Sequence, residues 1–256
     1  MRALIVLAHP ESKSYNAALA LVARDTLQQQ GYEVRLADLY RQSFAADEHA
    51  RHFVYRANAC RFDAQAEQRF NADRNTLPLD VHRNSEDLLW ADLVVLQFPL
   101  WWFGMPAILK GWMDRVFVYG KLYSSDRRLD CGICAGKRAM LSVTAGSSKD
   151  ACAPDGQEGD TRLILWPIHY ALYYVGFSVL EPTIATGVRP ARSSFGTQQQ
   201  LTHLRQQLRD HRAIFQKIDA RRAIAFNQST DWDSDGKLKP GAPVYSPFIR
   251  HANPVE

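Results

Sequence analysis

The stretch Asp92-Leu93-Val94-Val95-Leu96-Gln97-Phe98-Pro99-Leu100-Trp101-Trp102-Phe103-Gly104-Met105-Pro106 decides the fold. Asp92–Phe98 is an apolar run without alternation, the pattern of a strand buried on both faces of a parallel sheet. Pro106 suits the first turn of a helix that runs to about Val118. Between strand and helix lies a loop crowded with aromatic rings, where such connections are normally short and polar.

Outward from this segment the same strand-then-helix order recurs. Ala3–Ala8 is another continuous apolar run, and Ser14 can cap a helix that reaches about Gln30 and stops at Gly31. Glu33–Leu39 reads as a strand, Asn84–Trp90 as a short helix capped by Asn84 or Ser85, and Lys137–Thr144 as the next strand. Leu163–Val175 reads as helical and Phe177–Ala185 as a strand, and Thr197–Gln200 is a capping box opening a last helix. This alternation implies right-handed crossovers, and so an α/β chain with a doubly wound parallel sheet and helices on both faces. Residues 43–83 fall outside the scheme as a polar insertion. Residues 221–256 form a tail expected to wrap the surface, which leaves 1–220 as one domain.

Composition removes several classes of protein. The 256 residues carry 31 Lys and Arg against 27 Asp and Glu, a formal net charge of +4, with the bases scattered among acids. That distribution does not support a nucleic-acid binder. The first apolar run is short and ends at His9-Pro10, which does not suit a secretory signal. Leu163–Leu180 lacks formal charge, but Pro167, His169, Gly176 and three tyrosines argue against insertion in a membrane. Four cysteines do not make a disulfide framework, so a cytoplasmic location with reduced thiols is expected.

An open parallel sheet binds ligands beyond the carboxyl ends of its strands. Three such ends stand out. His9–Asn16 offers an imidazole, hydroxyls and an ammonium just before a helix N-terminus, where backbone amides favour phosphate. Pro99–Phe103 offers aromatic surface on which a flat conjugated ring such as a flavin can stack. Thr144–Ser148 is a small-residue turn that admits a ligand edge. Neither GxGxxG nor the P-loop pattern occurs, so a nicotinamide nucleotide held in the usual Rossmann manner is not expected. Three further motifs read as structural. Gly132–Gly136 precedes a strand, whereas a nucleophile elbow follows one. Cys131 and Cys134 form a single CxxC without two more ligands nearby, so no metal site is expected. Asp231–Gly236 matches half an EF-hand loop, but Ala242 stands where the loop needs Glu.

Taken in order, Ala3–His9, Gln97–Trp112 and Leu165–Ile168 resemble the NAD(P)H:quinone oxidoreductases of the DT-diaphorase type. The similarity runs from residue 3 to about 185. It implies a flavodoxin-like fold with five parallel strands in the order 2-1-3-4-5, a homodimer, and FAD, in preference to FMN, bound without a covalent link. It also implies that NAD(P)H and a quinone take turns on the flavin. On the matching positions, His9, Ser14, Tyr15 and Asn16 would hold the diphosphate side, with Gln65 approaching from the insertion. Pro99, Leu100, Trp101, Trp102 and Phe103 would line the isoalloxazine. Thr144, Ala145, Gly146 and Ser147 would contact its pyrimidine edge. Tyr123 would cover the substrate side in the partner subunit's site, and Gly146 and Glu158 join it as the expected catalytic set. Where the family carries a Tyr and a His beside the flavin, this chain has Cys152 and Glu158, and a second tyrosine is replaced by Ser125. A carboxylate cannot stand in directly for a cationic imidazole. Two other readings use the same fold: a regulatory subunit of a membrane transporter, and a flavodoxin-like electron carrier. Such carriers are usually strongly acidic, and this chain is basic.

Overall fold

The computed structural model describes residues 1–189 and 194–252. Strands β1 (Arg2–Leu7), β2 (Glu33–Asp38), β3 (Leu93–Pro99), β4 (Arg138–Thr144) and β5 (Ser178–Ala185) form one parallel sheet in the order β2-β1-β3-β4-β5. The helices are α1 (Tyr15–Gln29), α2 (Ala64–Asp73), α3 (Leu79–Trp90), α4 (Ala107–Val116), α5 (Thr161–Ile164), α6 (Trp166–Tyr174) and α7 (Ser194–Gln216). Every residue of β3 is buried, which is why its sequence does not alternate. One face of the sheet packs Leu4, Val94, Leu96 and Phe98 against Leu88, Trp112 and Leu172. The other packs Ile5, Leu7, Leu93 and Val95 against Leu27 and Phe215. Each such side chain contributes about 1.5–3 kcal/mol when fully buried.

Several boundaries differ from the sequence reading. Helix α3 begins at Leu79 rather than Asn84, with Pro78 at its cap, and Asn84 and Ser85 are buried inside it. Asn84 Oδ1 accepts from the buried Trp112 Nε1 at 2.9 Å, a tertiary demand that outweighs the residue's capping preference. The helix expected over Leu163–Val175 is two helices. Asp160 caps α5, and the chain restarts at Trp166 with Pro167 in the first turn, where a missing N–H is harmless. Helix α7 starts at Ser194, ahead of the expected cap at Thr197.

The tail does more than wrap the surface. β5 is an edge strand carrying Pro182, and the pairing slips by one residue there: Met140 pairs with Leu180 but Ser142 with Thr183. Arg221 donates to the Glu181 and Pro182 carbonyls at 2.6 Å each, and Ala223 bridges Leu180, so the tail covers this edge. Phe226 is buried and stacks on Tyr173 with ring centroids 4.5 Å apart. Among the described residues no helix is long and apolar enough to cross a membrane, and no group of three metal-ligating side chains occurs.

The insertion is fastened to α4. The buried Arg115 donates to the Ala45 carbonyl at 2.8 Å and to Asp80. Gly111 lets the insertion lie directly on the helix, since a Cβ there would sit 1.8 Å from the Ala46 carbonyl oxygen. Gly111→Ala is therefore expected to destabilise the protein by about 1–3 kcal/mol despite alanine's better helix propensity. Urea unfolding of the two proteins checks this, and an unchanged midpoint would mean that the insertion does not pack there.

Candidate functional site

The predicted strand ends meet at the carboxyl edge of the sheet, beside the switch point where β1 has β2 on one side and β3 on the other. Asn16, in the first turn of α1, is 3% exposed and ties them together. Its Nδ2 donates to Thr144 Oγ1 at 2.9 Å, and its Oδ1 accepts from Gln97 Nε2 at 2.9 Å. One amide thus links α1, β3 and β4. Gln97 was not among the expected site residues. Its signal in the sequence is a lone glutamine inside a wholly apolar strand.

What α1 presents to the crevice is its backbone. Ser14 Oγ accepts from the Ala17 amide at 3.2 Å, and the Tyr15 and Asn16 amides carry no hydrogen bond among the described residues. Unpaired amides at a helix N-terminus favour an anion. The Tyr15 side chain turns away from the crevice. Its hydroxyl donates to the Leu204 carbonyl of α7 at 2.7 Å, and burial pushes its pKa up to about 12. His9 Nδ1 accepts from the Glu11 amide at 3.0 Å, which leaves Nε2 as the donor of the neutral ring. The His9 and Trp101 rings lie 5.9 Å apart across the crevice.

The loop after β3 folds into a tight hairpin. Trp101 and Gly104 exchange both backbone hydrogen bonds at 3.0 Å. Trp102 and Phe103 form the turn between them, at φ 51° and 59°. A turn with both central residues left-handed is normally Asn-Gly, and the conformation costs about 1–2 kcal/mol for each residue with a bulky side chain. Trp102 is also 96% exposed and Phe103 55%. Neither the strain nor the exposure stabilises the chain itself, and strained turns of this kind collect at ligand sites.

Opposite this ledge, the turn after β4 is held by bonds from the Leu100 amide to the Thr144 carbonyl and from the Ala145 amide to the Ala185 carbonyl, both 2.8 Å. Gly146 has no positive φ, and a Cβ there would meet nothing nearer than the Val188 carbonyl oxygen at 3.9 Å. Neither packing nor backbone demands glycine at this position. Gly146 lines a cleft of about 150 Å³, bounded also by Leu100, Trp102, Phe103, Ala145, Ser147, Cys152 and Glu158. The amides of Trp102, Phe103, Gly146 and Ser147 are unpaired among the described residues. Glu158 Oε1 accepts from Ser147 Oγ at 3.0 Å. Thr161 and Ile164 of α5 complete the wall. The sequence concealed them by making α5 and α6 look like one helix.

Two expected residues stand elsewhere. Gln65 Nε2 donates to Tyr123 Oη at 3.3 Å, and both line a separate apolar cavity of about 510 Å³ with Met105, Phe117, Tyr170 and Tyr174. Burial there raises the pKa of the Tyr123 hydroxyl. Within one chain neither residue lines the Gly146 cleft.

This fold and crevice mark a class that known proteins define further. A profile described as the flavodoxin-like fold matches residues 1–210. The chain is 39% identical over 195 residues to NAD(P)H dehydrogenase [quinone] 1 of Cavia porcellus, covering 73% of this chain and 69% of that protein. It is 38% identical over 188 residues to the human ribosyldihydronicotinamide dehydrogenase [quinone], covering 72% and 80%. A solved structure from Klebsiella pneumoniae, assigned as a quinone reductase, superposes with a TM-score of 0.80 at 33% identity, covering 94% of each chain. The chain therefore belongs to the flavodoxin-like family and, within it, to the NAD(P)H:quinone oxidoreductases.

The Asn16 network sets a direct test. Asn16→Leu keeps the volume but leaves buried polar groups on Gln97 and Thr144 without partners, at about 1–3 kcal/mol each. Denaturant unfolding is expected to show a loss of a few kcal/mol. A loss below about 0.5 kcal/mol would mean that the network does not hold the strand ends.

Proposed function

We propose that the protein is a homodimeric, FAD-dependent oxidoreductase that uses NAD(P)H to reduce quinones by two electrons. The observation that carries this reading is the strained, exposed Trp102-Phe103 turn, which lines one cleft with Gly146. The residues fit a flavin dinucleotide. The free amides at the start of α1 suit its diphosphate, and the Trp102-Phe103 turn supplies an aromatic ledge and two donors. The Gly146 and Ser147 amides suit the edge where negative charge collects. A bound flavin supplies the hydride chemistry, taking two electrons from NAD(P)H and giving them to the acceptor. The chain's own part is to hold rings face to face and to stabilise charge with fixed amides.

The position of Tyr123 supports the dimer. Tyr123 and Gln65 line an apolar cavity apart from the cleft, and Trp102 lies bare to solvent in a single chain. A second copy related by a two-fold axis would bring Tyr123 of one chain over the cleft of the other and cover both surfaces. Cys152 and Glu158 line the cleft, at positions that the resemblance matches to a Tyr and a His, so any assistance there comes from different chemistry. The cytoplasm is the compartment that the cysteine usage favours.

Two outcomes are expected. The purified protein is yellow and releases FAD on heating, as mass analysis of the supernatant will read. A colourless protein that takes up no added flavin would refute the reading, and release of FMN alone would remove the diphosphate role of α1. Gly146→Val should leave stability within about 1 kcal/mol of the parent, since the site has room, while weakening flavin affinity by at least roughly tenfold. Matched unfolding and flavin titrations test this, and unchanged flavin affinity would show that nothing docks against Gly146.

A further inference from the structure

We propose that Glu158 makes the cleft select against negatively charged acceptors, so that the quinones it takes are uncharged or cationic. The inference rests on the quinone-reductase reading above and narrows its substrate class. Among the described residues that line the cleft, Glu158 is the one with a formal charge. Its hydrogen-bond partner is the neutral Ser147 hydroxyl at 3.0 Å, and among the described residues no basic side chain pairs with it.

The surroundings do not cancel this charge. Beyond Cys152 and Thr161 lies a second cavity whose wall carries Lys149 and Arg162 but also Asp150 and Asp160. Two bases and two acids leave that wall without net formal charge to oppose the carboxylate.

The loop also fixes the backbone that carries the carboxylate. The Glu158 amide donates to the Ala151 carbonyl at 2.9 Å, the Ala151 amide to Ser148 Oγ at 3.2 Å, and Thr161 Oγ1 to the Cys152 carbonyl at 3.2 Å. Gly156 packs so closely that a Cβ would lie 2.3 Å from the Asp150 and Ala151 carbonyl oxygens. The loop is built to hold Glu158 at the cleft wall.

An anionic ring substituent brought within several ångströms of that charge is disfavoured by roughly fivefold to thirtyfold in Kd, at a dielectric between protein surface and water. Salt should weaken the effect. Flavin-loaded protein is titrated calorimetrically with a naphthoquinone sulfonate and with an uncharged naphthoquinone, and kcat/KM is measured for both. The wild type is expected to favour the uncharged ring, and Glu158→Gln to raise the relative affinity for the sulfonate by roughly fivefold to thirtyfold. Glu158→Asp should keep most of the wild-type preference, and added salt should narrow it in the wild type but not in Glu158→Gln. If Glu158→Gln moves both ligands equally, or moves neither, the charge filter is overturned while quinone reduction by the wild type stands. If the wild type reduces neither quinone with NADH or NADPH, the quinone reading falls, and this inference with it.

Discussion

The geometry of the carboxyl edge hangs on the side-chain amide of Asn16. It is buried, it donates to Thr144 and accepts from Gln97, and so it fixes the start of α1 against the ends of β3 and β4. A hydrogen bond of this kind adds only about 0.5–1.5 kcal/mol net, but a broken one strands a buried polar group, so the network resists partial opening. The amides of α1, of the Trp102-Phe103 turn and of the Gly146 turn that are unpaired among the described residues are therefore held at set positions relative to one another before any ligand arrives. Preorganisation of this sort keeps the cost of ordering out of the binding step.

Around that anchor the chain accepts two local penalties. Trp102 and Phe103 sit in left-handed backbone without the residue types that relieve it, and their rings face solvent. Gly146 leaves open a space that the fold does not need. Other glycines have plain structural reasons: Gly111, Gly132, Gly156 and Gly176 are each pressed against backbone that a side chain would strike. The contrast sets glycines that packing demands apart from one that it does not. Cys152 and Glu158 line the same cleft as Gly146.

Much of the fold is legible in the sequence because wholly buried parallel strands leave unbroken apolar runs. β1, β3 and β4 are plain for that reason, as are the Ser14 cap and the strand ends that follow. What the sequence hides depends on tertiary partners. Asn84 looks like a cap until Trp112 is seen to need its oxygen. The break between α5 and α6 is invisible because both halves are apolar, and it conceals Thr161 and Ile164 at the cleft. Arg115 reads as a surface base but is buried under the insertion. The Tyr15 side chain is spoken for by α7, which no local pattern announces. The left-handed turn at Trp102 lacks any Asn-Gly signal, because its sequence answers to aromatic surface rather than to turn chemistry. Tyr123 and Gln65 pair with each other in a cavity apart from the cleft, a placement that no local pattern announces.

The central claim is that the Trp102-Phe103 turn and the Gly146 turn are two walls of one flavin site. A crystal structure of the flavin-loaded protein tests it most directly. The account predicts an isoalloxazine ring between the two turns, its polar edge within hydrogen-bond distance of the Gly146 and Ser147 amides, with Trp102 and Phe103 still at positive φ. A flavin bound elsewhere, or a turn that relaxes to ordinary backbone angles when the flavin is present, would contradict it.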